Sequence, residues 1–425
     1  MTARTPNARP ADRSKPGTLR RRLFQHGGLD ITFTCLVLIL FAIGVVMMYS
    51  ASYATSVSKT GSPNTYFRQQ LVAAAIGFAV MLLISKLDYR ILNSIWAIII
   101  YVGTILLLGF TLVYNVLKGN TMKRWIPIPG FGQFQPSEVA KFALILILAY
   151  MICIFAPVLK GAEDRSTMPN LGGLTKGERI VFSLFDCPWK ATVFMGMTAL
   201  VIVGLVLLEK HLSATILLVG LTFAMLWAGG VKKIWFIVLG TLIVAAVVYV
   251  LYINPEITKV FGEYGYERIM VFREKDTAGR TNYWQTQQSL YAIGSGGPFG
   301  VGFGNSKQKQ LWLPEPQNDF IFAIVVEELG YVGGMIIILL FAALVWRGFV
   351  IATRTRDYFG ALLVIGIMMQ VCFQVILNIA VVTDTIPNTG IGLPFFSYGG
   401  TALVLLLAEM GVVLSVSRSC TIEAA

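Results

Sequence analysis

Charge is what this 425-residue chain has least of. Asp, Glu, Lys and Arg together make up 13% of it, against roughly 25% in soluble domains. A chain so poor in charge cannot clothe itself in a water-compatible surface. Histidine is scarcer still: His26 and His211 are the only two, too few for a histidine-based metal site. The five cysteines, Cys35, Cys153, Cys187, Cys372 and Cys420, fall in apolar stretches or in segments expected to face the cytoplasm. None lies in an outside loop and no pair has metal-ligand spacing, so neither a disulfide framework nor a thiolate metal site is expected. The chain also lacks an internal repeat and a soluble domain.

What fills it instead is apolar sequence. Hydrophobic residues make up 56% of the positions, and mean hydropathy is +0.71. Charge-free blocks of 18 to 27 residues run over Ile31–Tyr49, Ile91–Leu117, Ala191–Leu208, Leu212–Val231, Ile234–Asn254 and Tyr358–Thr383. A helix needs about 20 residues to cross a hydrocarbon core of about 30 Å, so each block can span. Ten spans are predicted: 30–50, 67–85, 91–117, 137–156, 191–208, 212–231, 234–254, 320–346, 358–383 and 397–417. The first is too long for a signal-peptide core and is expected to stay as an anchor. The expected fold is therefore all-α and polytopic, with about ten transmembrane helices.

The net charge of +12 reports topology rather than a nucleic-acid partner. With the N-terminus inside, the cytoplasmic segments hold 20 of the 34 Lys and Arg, as the positive-inside rule requires. Both termini are then cytoplasmic. Residues 1–28 are expected to be a disordered basic tail, 29–418 the membrane domain, and 419–425 a short cytoplasmic tail. Two loops exceed connector length: 157–190 inside and 255–319 outside. The outer one is rich in aromatics before Gly294 and is expected to carry short interfacial helices over 257–293.

Most polar groups near the membrane gather toward the outside, where their cost marks them as functional candidates. Lys123 and Arg124 precede Phe134-Gln135-Pro136-Ser137-Glu138 and Lys141. Glu138 and Lys141 share a helix face and can pair, either as a structural anchor or within a cationic patch for an anion. Asp319 closes the long loop, as a helix N-cap or as a functional carboxylate. Glu327 and Glu328 lie two turns deeper, as partners for Lys141 or Arg124. Gln374 and Asn378 put two amides on one face, directed to a cavity or to helix packing. The last outer loop, Ile386–Thr401, is dense in glycine and proline, which implies broken helix lining a cavity.

These residues together resemble the SEDS family (shape, elongation, division and sporulation). The resemblance is carried by Asn318-Asp319-Phe320-Ile321-Phe322-Ala323 with Glu327-Glu328-Leu329-Gly330, and by Leu393-Pro394-Phe395-Phe396-Ser397-Tyr398-Gly399-Gly400. Met48–Ser52, Arg124–Pro127, Phe134–Lys141 and the glycine-rich stretch Gly294–Ser306 extend it. The spelling Phe395–Thr401 and the basic tail look closer to the division and sporulation members of Firmicutes than to elongation members. Two departures stand out: Glu209-Lys210-His211-Leu212-Ser213, where many members have Pro-Asp, and Asp384, where Gly or Asn is usual.

The resemblance implies a peptidoglycan glycosyltransferase that polymerises lipid II beside a class B penicillin-binding protein transpeptidase, other division proteins and membrane lipids. Asp319 is then the implied general base. Lys123, Arg124 and Lys141 are candidates to clamp the diphosphate, with Glu138 orienting Lys141. Gln374 and Ser397 are candidate sugar contacts. The resemblance implies no definite cofactor; a divalent cation, Mg²⁺ or Mn²⁺, is compatible with the diphosphate. A lipid II flippase and a non-catalytic division scaffold are the competing functions.

Overall fold

The computed structural model describes residues 28–118, 126–128, 132–159, 176–185, 187–249, 280–388 and 390–422, with isolated helical residues at 266, 270 and 272. Lys123, Arg124, most of the tail 1–28, residues 160–175 of the inner loop and most of 255–279 lie outside the described residues.

Twelve α-helices are described. In chain order they are α1 (Ile31–Thr60), α2 (Thr65–Lys86), α3 (Ile95–Leu117), α4 (Pro136–Leu159), α5 (Lys176–Leu184), α6 (Pro188–Leu208), α7 (Leu212–Ala228), α8 (Lys233–Val248), α9 (Arg280–Gly296), α10 (Ile321–Arg354), α11 (Tyr358–Val382) and α12 (Gly400–Ile422). Eight of them (α1, α2, α3, α4, α6, α10, α11 and α12) are long and apolar enough to cross a membrane. The predicted spans 212–231 and 234–254 correspond to the shorter helices α7 and α8. Of the interfacial helices expected over 257–293, α9 is described.

Helix α4 forms the axis of the bundle. Its most apolar window is 78% buried, with α12 at 67% and α11 at 56% next to it. The outer helices turn apolar residues outward instead: on α3, Leu106, Phe110, Val113 and Leu117 are all exposed. That is the inverse of a soluble surface and fits contact with lipid. Helices α2 and α12 pack closely through small residues. A Cβ added at Gly411 would stand 2.7 Å from the Met81 carbonyl oxygen. Such small-residue contacts bring backbones together where lipid removes any hydrophobic drive to associate.

Two polar clasps tie α1 to α10. At one end Asp30 caps α1, accepting from the Phe33 amide at 2.9 Å, and pairs with Arg347 at 2.7 Å. Burial alone would raise the Asp30 carboxyl, but the Arg347 hydrogen bond and the Phe33 amide outweigh it and hold it below its ordinary value. Twenty residues further along α1, about 30 Å at 1.5 Å per residue, the Ser50 hydroxyl donates to Glu328 at 2.7 Å. The same carboxylate takes Lys309 Nζ at 2.6 Å, with both side chains buried. The clasps therefore stand about one hydrocarbon thickness apart.

Helix α10 was expected to begin at 320 and run unbroken, but Gly330 interrupts it with φ 72° and ψ −179°. The glycine-rich stretch takes up the backbone groups this break releases. The Val301 and Gly302 amides donate to the Glu327 and Glu328 carbonyls at 2.9 and 3.1 Å, and the Tyr331 and Val332 amides donate to Gly297 and Pro298. A Cβ at Gly300 would lie 2.1 Å from the Glu328 carbonyl oxygen, which is why this strap is written in glycine. A broken helix at membrane depth is stable only with its freed groups satisfied in this way.

Candidate active site

Strands β1 (Ile126–Ile128) and β2 (Gly132–Phe134) pair antiparallel, with Ile126 opposite Phe134. The two sequence motifs on either side of residue 130 are thus arms of one hairpin that leads into α4. Pro136 suits the first turn of that helix, where no amide partner is needed. Glu138 and Lys141 then form the expected i,i+3 ion pair at 2.7 Å, with 16% and 4% of their side chains exposed.

The turn Glu209-Lys210-His211, where the family pattern breaks, docks on this same helix end. Lys210 takes a positive φ of 59°, a strained conformation for a residue with a Cβ. The buried His211 ring meets Ser137 Oγ at 3.1 Å from Nδ1. The Gln135 amide nitrogen lies 3.2 and 3.3 Å from its two ring nitrogens. Sequence reasoning noted this turn only as a departure from the family pattern. A ring that completes the Gln135–Ser137 turn was the missed alternative.

Asp319 is half-buried at the opening of α10. Phe320 occupies the N-cap position of α10 and makes no side-chain capping bond. Asn378 Nδ2 donates to the Asp319 carbonyl at 2.8 Å and to Ile391 O at 2.7 Å. Ser397 Oγ donates to Asn318 O at 2.6 Å and accepts from the Leu393 amide at 2.7 Å. Gln374 Nε2 reaches Gly392 O at 3.4 Å. Asp319, Gln374, Asn378 and Ser397 are therefore brought together, by bonds that lace the last outer loop to the opening of α10.

The expected pairing of Glu328 with Lys141 is overturned. Lys309 and Ser50 satisfy Glu328. Glu327 accepts from Ser306 Oγ at 2.5 Å and from the Lys307 amide at 2.9 Å. Both acids fasten the segment 306–309 to α10, and Lys141 stays with Glu138.

Two further groups escaped sequence reasoning. Gln370 stands four residues below Gln374 on α11 and donates to the fully buried Glu409 of α12 at 2.7 Å. Glu409 is in turn within electrostatic range of Lys141 and Glu138. Asn378, Gln374 and Gln370, at a spacing of four, thus form a line of amides from the Asp319 backbone toward the Glu138–Lys141 pair. The signal was the lone carboxylate in the last apolar run. Among the described residues no cluster of three His, Cys, Asp or Glu stands where it could hold an ion, and no step is assigned to one.

Comparison with known proteins matches residues 30–422 to the cell cycle protein family that groups FtsW, RodA and SpoVE. The chain belongs to the SEDS family. Similar relatives include stage V sporulation protein E of Bacillus subtilis, 35% identical over 92% of this chain and 97% of that protein. The probable peptidoglycan glycosyltransferase FtsW of the same organism is 33% identical over 91% of this chain and 90% of its own length. Among solved structures, a chain from a peptidoglycan synthase complex that coordinates polymerization and crosslinking is 25% identical, with a TM-score of 0.66 over 92% of this chain and 98% of its own. RodA of Thermus thermophilus, 24% identical, shares the fold at a TM-score of 0.57, over 92% of this chain and 97% of its own. The SEDS motifs are the same segments that the fold gathers at one end of the bundle.

Proposed function

We propose that this peptidoglycan glycosyltransferase polymerises lipid II into glycan strands at the outer face of the cytoplasmic membrane, in division or sporulation, together with a class B penicillin-binding protein transpeptidase. The 4-hydroxyl of one lipid-linked disaccharide attacks C1 of a second chain, whose leaving group is undecaprenyl diphosphate. Asp319 takes the proton of that hydroxyl. Lys141, held by Glu138, with Lys123 and Arg124, neutralises the departing diphosphate. Gln374 and Ser397 shape the wall on which the sugar rests.

The observation that carries the reading is the position of Asp319, inside the family's most specific motif and at the opening of α10, where Asn378 and Ser397 lace the last outer loop to it. The test is Asp319→Asn assayed with purified lipid II. The amide cannot accept the hydroxyl proton, so polymerisation falls by about 10²–10⁴-fold, while melting and transpeptidase binding stay near wild type. Near-normal polymer from the Asn variant sinks the assignment.

The line of amides ending at Glu409 gives lipid II translocation its one specific support, because polar residues inside a span mark pathways. The nitrogens of all three amides are committed to hydrogen bonds, which favours a fixed wall over a path. Flipping of labelled lipid II in vesicles, without polymer, would reverse that order.

A further inference from the structure

Helices α1 and α2 and the glycine strap border a cavity of about 600 Å³, within the roughly 300–1,000 Å³ of small-ligand pockets. Val46, Leu71 and Phe303 on its walls are 50%, 42% and 52% exposed, so in a membrane it opens sideways to lipid. Most of the lining is apolar, but Tyr49, Asn64 and Arg68 also face it. Each helix carries its polar lining nearer the Asp319 end and apolar lining about a turn deeper. Tyr49 stands above Val45, and Asn64 and Arg68 stand above Leu71.

The polar groups are uncommitted. Asn64 makes no capping bond for α2. Among the described residues neither the Tyr49 hydroxyl nor the Arg68 guanidinium has a hydrogen-bond or ion-pair partner. Lys59, Lys141 and Lys309, toward the same end, each meet a carboxylate. Arg68 meets none, although it borders an apolar cavity where an unneutralised cation is costly. Donors above and apolar walls below are the complement of an amphiphile with an anionic head.

The geometry of α2 separates this cavity from the candidate active site. Asn64, Phe67, Arg68 and Leu71 share one face by their spacing of three and four. Tyr66, Gln69 and Gln70 lie on the opposite face and hold the last outer loop. The Tyr66 ring packs on Tyr398, Tyr398 Oη donates to Gln69, and the Gly399 amide donates to Gln70 Oε1 at 3.2 Å. The body of α2, about 10 Å across, therefore stands between the cavity and the loop laced to Asp319. A lipid-linked sugar reacting at Asp319 belongs on that other side.

We infer that the cavity binds an anionic phospholipid of the surrounding leaflet. Arg68, with Tyr49 and Asn64, takes the phosphate, and an acyl chain lies between Val45 and Leu71 against Phe303. The lipid braces α2 from the face opposite the loop it supports.

The test is native mass spectrometry of the full-length protein in detergent, titrated with dioleoylphosphatidylglycerol or dioleoylphosphatidylcholine. Wild type should retain one phosphatidylglycerol about tenfold more tightly than phosphatidylcholine, whose choline cation opposes Arg68. Arg68→Gln should weaken phosphatidylglycerol roughly tenfold to a hundredfold, the loss of one charge-assisted contact. Val46→Trp, which fills the apolar part and leaves Arg68 in place, should weaken it as well, and it decides the matter if Arg68→Gln does not fold. Melting temperatures without added lipid identify folded variants. Equal retention of both lipids by wild type overturns the site, as does wild-type retention of phosphatidylglycerol by either folded variant. Displacement of that lipid by an equimolar amount of undecaprenyl diphosphate also overturns it, and makes the cavity a substrate groove. Binding is read without turnover, so failure of the polymerase reading leaves these outcomes unchanged.

Discussion

At the scale of single residues, the candidate site holds buried charges whose partners the fold identifies. Lys141 is almost wholly buried, with Glu138 as its ion-pair partner. Lys141→Ala should weaken use of lipid II roughly tenfold to a hundredfold, the cost of about 1.5–3 kcal/mol for one charge-assisted contact. Kinetics set against melting temperature would check it: equal losses in both would make the pair a structural anchor. That pair was legible in the sequence because both members lie on one helix, three residues apart. Glu409 was not, because its partner Gln370 is 39 positions away on another helix and no local spacing encodes the contact. Ser50 and Lys309 were hidden from sequence reasoning for the same reason: Glu328 recruits one from α1 and the other from the preceding loop.

At the scale of elements, the strap of glycines and the break at Gly330 are one device. A methyl group at Gly330 would meet the Gly300 nitrogen and the Pro298 carbonyl oxygen, each at 2.4 Å, in a backbone region that favours glycine. Gly330→Ala should therefore cost roughly 3 kcal/mol, strain and overpacking together, read as a lower melting temperature in detergent. The Asp30–Arg347 clasp has its own signature in pH. Because the folded Asp30 carboxyl titrates below its unfolded value, its contribution is complete above that value, near pH 3.9, and is lost as pH falls through the folded one. Stability of wild type relative to Asp30→Asn should be constant from about pH 5 to 8 and converge below about pH 4. Long apolar runs made most helices legible, since length and hydropathy suffice for a span. The break inside α10 was not, because its surroundings are as apolar as any span and only the distant strap explains it.

At the scale of the whole molecule, both described chain ends lie on the Asp30–Arg347 side: Asp30 pairs with Arg347, and Cys420 Sγ meets Thr355 Oγ1 at the end of α10 at 2.8 Å. Asp319 stands on the other side, beyond Glu328. An even number of crossings, such as the eight candidate spans, puts both ends on one side, and the placement of Lys and Arg favours that side being the inside. Cysteines introduced at positions 277 and 170 check it in intact cells. Position 277 should react with an impermeant thiol reagent and 170 should not; the opposite pattern would invert the orientation. The chain's composition made the membrane class legible at once. The meeting of the α4 hairpin, the opening of α10 and the last loop at one end was legible only as a clustering of motifs, because packing between helices leaves no periodic mark in sequence.

The two clasps between α1 and α10 also act together as a ruler. Each fixes polar groups at one boundary of the apolar slab, and the helices between them cannot shorten without breaking one or the other. A bilayer much thinner or thicker than their separation must then deform around the protein, or pull on a clasp, at a cost of fractions of a kcal/mol per ångström. Glu328 belongs to one clasp and, through the strap that holds the break at Gly330, to the platform that carries Asp319. A load on that clasp falls on the residue next to the strap, so acyl-chain length bears first on the Ser50–Glu328 contact.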